Sequence, residues 1–96
     1  MVITILEAHV DVDKSSALVD AYKKGTQEGL PPQMTQTFLL QSAADKSLWQ
    51  ISSVWKSREA LDEMRNSGET PAGVLMFRAA GAEPKLSIFV VPAFAP

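Results

Sequence analysis

The chain opens on an apolar, β-branched run, Val2 to Val10, that alternates in character: Val2, Leu6, Ala8 and Val10 fall on one face, Ile3 and Ile5 on the other. A strand is predicted there. From Asp13 to Gln27 the period changes, and Ala17, Leu18, Ala21 and Tyr22 form the i, i+1, i+4, i+5 stripe of an amphipathic helix. Asp13 is the expected N-cap, the helix fades around Gly25 and Gly29, and Pro31 and Pro32 forbid its continuation. Two more strands follow, Met34 to Ser42 and Ser47 to Lys56, joined by Ala43 to Lys46 at a length that suits a hairpin. Ser57 is placed to cap a second helix, Arg58 to Ser67, whose apolar face is Ala60, Leu61 and Met64, and Gly68 sits where a left-handed residue would end it. Thr70 and Pro71 read as N-cap and first helical position of a third helix through Ala80, stopped by Gly81. Pro84 to Val91 is the last predicted strand, and residues 92–96 form a tail.

The order β-α-β-β-α-α-β predicts an α+β, ferredoxin-like domain with a four-stranded antiparallel sheet, a single domain over residues 1–96. Right-handed crossovers place the helices on one face of such a sheet. Yet the strands are apolar on both faces. The third strand splits Leu48 and Val54 from Trp49, Ile51 and Trp55; the fourth splits Leu86, Ile88 and Val90 from Phe89 and Val91. A bare apolar face of this size is an aggregation hazard in a monomer. The economical expectation is an obligate homodimer in which two chains pack sheet to sheet as a dimeric α/β barrel.

Composition agrees. Hydrophobic residues make up 46% of only 96 positions, a generous supply for a chain that buries a modest share of its surface alone. A formal charge of -2 argues against nucleic acid and anionic membrane as partners. No cysteine is present, which removes disulfides, thiolate metal sites and cysteine nucleophiles, and the lone His9 rules out a multi-histidine metal cage within one chain. Neither a leader nor a membrane span is legible, so the expectation is a soluble, cytoplasmic protein.

The segment Val54-Trp55-Lys56-Ser57-Arg58-Glu59-Ala60-Leu61, with the closing strand after Glu83-Pro84, resembles the antibiotic-biosynthesis-monooxygenase family of the dimeric α/β-barrel superfamily over roughly Val2 to Val91. The resemblance implies a ligand pocket in each monomer between helices and sheet, here lined by Leu6, Ala8, Leu61, Met64 and Phe77. It also implies cofactor-independent oxygenation of a small aromatic, anthrone- or quinol-like substrate, with no cofactor and no metal. Haem-degrading relatives place asparagine on the first strand, tryptophan on the second helix and histidine on the third. The matching positions are Ala8, Met64 and a third helix without histidine, so haem degradation is not expected. The alternative is a non-catalytic dimer that holds a small hydrophobic molecule in the same pocket; a muconolactone-type isomerase is a more distant reading, for want of a base.

Three residues stand out as candidates for catalysis. Tyr22 lies on the inner stripe of the first helix, where its hydroxyl could reach a pocket. Trp55, which shares a strand face with Trp49, could stack on a flat substrate or simply fill the core. Arg78 could hold a quinone oxygen with its fork of donors, or pair with Glu83 or Glu69 at the surface. Glu7 and His9, two apart on one strand, share a face that the register directs into the barrel, as a polar pair near its mouth.

Overall fold

In the computed structural model, which describes residues 1–96, β1 (Val2–His9) lies between β3 (Leu48–Trp55) and β4 (Lys85–Val90), and β2 (Met34–Gln41) pairs with the far side of β3. All neighbours are antiparallel. β1 therefore runs parallel to β2, and α1 (Ser15–Thr26) makes the crossover between them; α2 (Arg58–Arg65) and α3 (Ala72–Ala79) make the crossover from β3 to β4. The ferredoxin-like architecture is the expected one. No helix is long and apolar enough to cross a membrane.

The register sorts the side chains. Val2, Thr4, Leu6 and Ala8 of β1 stand opposite Trp55, Ser53, Ile51 and Trp49 of β3, and all eight are buried beneath the helices. α3 lies close on the sheet at Gly73, where a Cβ would lie 2.6 Å from Leu6 Cδ1, so a larger residue there would have to push the end of that leucine aside. The opposite face has no helix on it. It grades from an apolar row, Ile3 between Val54 and Phe89, to a polar one, Glu7 between Gln50 and Lys85. Phe38, Leu40 and Phe89 on this face are about half exposed.

Two helix starts differ from expectation. Val12–Lys14 form a 3-10 turn, so Asp13 already has helical backbone and caps nothing; Ser15 opens α1, its hydroxyl donating to the Val12 carbonyl at 2.8 Å. Pro71, at φ -56° and ψ 142°, is extended and precedes α3 instead of opening it, its carbonyl accepting from Val74 and Leu75. The inner side of α1 is also rotated slightly. Leu18 is its buried residue, flanked by Val19, Ala21 and Tyr22, whereas Ala17 faces solvent. Gly68 and Gly81 end their helices in the left-handed region as expected.

Ser57 behaves as the sequence implies: its backbone is extended and its hydroxyl accepts from the Ala60 N–H at 3.0 Å. Replacing Ser57 with alanine is expected to cost about 1 kcal/mol, a drop of roughly 4–8 °C in a thermal melt. No change in melting temperature would refute the cap.

Candidate functional site

Beneath the helices the buried side chains form two apolar groups. The larger joins Leu6, Ala8 and Val10 of β1 and its extension, Leu18 of α1, Trp49 and Ile51 of β3, and Met76, Phe77 and Ala80 of α3 and its end. The smaller joins Val2, Trp55 and Leu61, with Met34, Met64 and Ile88 packed against it. Between them runs a row of hydroxyls: Thr37, Ser53 and Thr4 are successive cross-strand partners on β2, β3 and β1. Thr4 and Ser53 are the buried polar residues of the chain, and each hydroxyl is occupied. Ser53 Oγ lies 3.3 Å from Thr37 Oγ1, and Trp55 Nε1–H donates to Thr4 Oγ1 at 3.0 Å. These bonds let polar atoms sit in a dry layer without the full desolvation penalty.

Trp49 is different. Its Nε1–H is buried and has no acceptor in the chain. A donor left so is worth about 1–3 kcal/mol of lost stability.

The candidates from sequence divide between several places. Leu6, Ala8 and Phe77 line the larger group, and Leu61 and Met64 the smaller, so the expected pocket wall stands on both sides of the hydroxyl row. Tyr22 packs, half-buried, against the larger group. Trp55 is buried in the smaller one with its N–H already satisfied. Arg78 lies elsewhere, at the surface, in a two-pronged ion pair with Glu83 at 2.8 and 2.9 Å. The hydrogen bond to Arg78 holds the Glu83 carboxyl below its usual range.

Glu7 and His9 do share the open face, but they do not pair with each other. Glu7 accepts from Gln50 Nε2 at 2.7 Å, beside Lys85 and Ser87, in a depression of about 180 Å³ flanked by Ile5 and Phe89. His9 Nδ1 lies 2.9 Å from Ser47 Oγ and 3.8 Å from Asp45, both in the β2–β3 turn. Ser47 donates to Asp45 from its hydroxyl and its backbone N–H, which lowers the Asp45 carboxyl pKa. One imidazole nitrogen faces both neighbours, so the trio has no relay geometry. No three His, Asp or Glu residues gather closely enough to share a metal ion.

Sequence reasoning passed over Thr4, Ser53 and Thr37. The signal was available: Thr4 and Ser53 occupy inward positions of otherwise apolar strands. It also weighed Trp49 only as a companion of Trp55, because nothing in a sequence tells which indole N–H will find an acceptor.

The fold is that of the antibiotic biosynthesis monooxygenases, as the resemblance implies. A Nitrosomonas europaea protein assigned to that class superposes with a TM-score of 0.73 over 97% of this chain and 100% of its own, at 20% identity. SnoaB, a cofactor-independent oxygenase from Streptomyces nogalater, gives 0.64 over 99% and 96% at 15% identity. A MhuD variant with two manganese protoporphyrin IX molecules per active site gives 0.74 over 100% and 99% at 16% identity. No family model and no curated protein matches the sequence. No histidine stands in the covered layer to ligate a porphyrin iron. The one imidazole, His9, is on the open face of the sheet, across from the layer the helices cover.

The Thr4–Trp55 bond can be measured. Thr4→Val strands the Trp55 N–H and is expected to cost about 1–3 kcal/mol. In a Trp55→Phe background the same change should cost at least about 1 kcal/mol less. Additive costs in a denaturant double-mutant cycle would remove the bond from the account of the core.

Proposed function

We propose that the chain is a cofactor-independent monooxygenase of a small aromatic, anthrone- or quinol-like substrate, bound between the helices and the sheet. The observation that carries the reading is the make-up of that layer within this fold: aromatic and aliphatic walls and indole N–H groups. On its sheet side stand no carboxylate and no imidazole. Substrates of this class need little more. Loss of a methylene proton gives a carbanion spread onto the carbonyl oxygen, and one electron passes from it to dioxygen. The two radicals couple through a new C–O bond, and loss of water leaves a second carbonyl. The sum is CH2 + O2 → C=O + H2O. The protein holds the ring, excludes bulk water and stabilises charge on oxygen. Tyr22 and Trp55 are the residues this reading keeps against the substrate, with Leu6, Ala8, Leu61, Met64 and Phe77 as walls. Arg78 ties the end of α3 to the loop before β4.

The absence of a base from the sheet side of the layer favours one other reading, a non-catalytic holder of small hydrophobic molecules. Oxygen uptake and quinone absorbance with dithranol, against a boiled control, separate the two. One dioxygen consumed per quinone formed is expected. No rate above the control across a panel of anthrones and quinols would leave only the binding protein.

The reading also includes a homodimer closed through the open sheet face, supported by the exposure there of Phe38, Leu40 and Phe89. Phe89→Asp would set a charge amid Ile3, Ile5 and the partner's copy of that face. It is expected to shift light scattering from about twice the chain mass to the chain mass at micromolar concentration. A native chain that scatters as a monomer would refute the dimer.

A further inference from the structure

Two indoles occupy the layer between helices and sheet, and the chain has no others. Trp55 donates to Thr4. Trp49, 7% exposed as a residue and with Nε1 fully buried, donates to nothing in the chain. Native interiors leave few such groups unmatched. A phenylalanine would keep most of the ring packing and avoid the penalty, so the N–H points to an acceptor from outside the chain. We propose that the Trp49 indole N–H holds a carbonyl oxygen of an aromatic ketone or quinone and stabilises the charge that oxygen acquires during reaction. This rests on the ligand layer proposed above and adds to it a named donor.

The surroundings define the ligand class. Trp49 packs in one group with Leu18, Met76 and Phe77, with Tyr22 and Leu39 against it. That environment favours a flat, neutral ring system. A carboxylate would be poorly served, since the sheet side of the layer carries no cationic side chain. At the seam of α1 and α3, Ala21, Lys24, Gly25, Ala72, Leu75 and Met76 line a shallow, mostly apolar groove of about 320 Å³, which is the way in that the proposal requires. Met76 belongs both to this groove and to the buried group around Trp49. Its side chain is lodged against α1 at Gly25, where any Cβ would collide with its methyl. An unbranched thioether with three rotatable bonds is suited to swinging aside.

The chemistry follows from the donor. When the methylene C–H of an anthrone breaks, its electron pair forms the enolate C=C, the carbonyl π pair moves onto oxygen, and the proton passes to a water admitted with the substrate, to return to the peroxide oxygen when water is lost. The Trp49 N–H···O bond then changes from neutral to charge-assisted, roughly twice as strong. It strengthens along the reaction and lowers the barrier without a side-chain base.

The two indole N–H resonances in a 1H–15N spectrum of the intact protein test this directly. The probes are 1,4-naphthoquinone and naphthalene, which share a ring system and differ in the carbonyls; the chain offers no thiol for the quinone to alkylate. Saturable movement of the Trp49 resonance with the quinone, little with naphthalene, and a still Trp55 resonance are expected. Trp49→Phe should weaken quinone binding by about 3–10-fold more than it weakens naphthalene binding, and lower kcat for dithranol more than it raises KM. Should Trp49→Phe fail to fold, Trp55→Phe assigns the two signals and the native spectrum decides. Quinone binding seen elsewhere with Trp49 unmoved, or moved equally by naphthalene, overturns the role of Trp49 and leaves the pocket standing. No saturable change anywhere with either probe overturns the pocket itself.

Discussion

Both long connections in this fold cross over a strand between parallel partners, and the handedness of such crossovers sends every helix to the same side of the sheet. Each strand is thereby divided, residue by residue, between a covered side and an open one. A slip of one position in β3 would bring Trp49, Ile51 and Trp55 out and turn Gln50 and Ser52 in. Exposing even one such large apolar side chain is worth about 1.5–3 kcal/mol, so the register is held from the covered side. The open side is then left with what alternation puts there: Ile3, Ile5, Val54 and Phe89, grading into Glu7, Gln50 and Lys85.

The same register decides how the covered layer is built. It aligns Thr37, Ser53 and Thr4 across three strands, and that row parts the apolar residues under α1 and α3 from those under α2. α3 approaches β1 closely through Gly73, whereas α2 rests on the sheet through Leu61 beside Trp55. The two helices of the second crossover are thus anchored in different groups, with hydroxyls and an indole bond in between. A layer divided in this way is not a continuous hydrocarbon core: it carries its polar atoms as hydrogen-bonded pairs between two apolar groups.

Element order, helix caps at Ser57 and stops at Gly68 and Gly81 were legible because each rests on local chemistry that a few residues determine. The starts of α1 and α3 were not. Asp13 and Thr70 are good capping residues in isolation, but the 3-10 turn at Val12 depends on how the chain leaves β1, and the extended backbone of Pro71 on how it turns from α2 into α3. The division of apolar residues between faces was readable from period-2 alternation alone. The partners of Glu7, His9 and Arg78 required the fold, since Gln50 lies 43 residues from Glu7 and Ser47 lies 38 from His9. For the same reason the contrast between Trp49 and Trp55 was invisible: Trp55 owes its acceptor to Thr4, 51 residues away.

Register also separates the chemistry of the two faces. Glu7, Lys85 and His9, the side chains of the sheet best able to move protons, lie together on the open side. Trp49, Trp55 and Tyr22 lie on the covered one, with carboxylate and imidazole absent from its strands. The acids and bases of the open face are separated from the covered layer by the sheet itself, and on the covered side the nearest titratable groups come from α1: Tyr22 against the larger buried group and Lys24 at the groove beside it. The strands thus offer the covered layer hydrogen-bond donors in place of proton carriers, and of the two indoles only Trp49 keeps an N–H with no acceptor in the chain. The polar residues of the open face instead satisfy one another there, Glu7 accepting from Gln50 beside Lys85, next to the apolar row of Ile3, Val54 and Phe89.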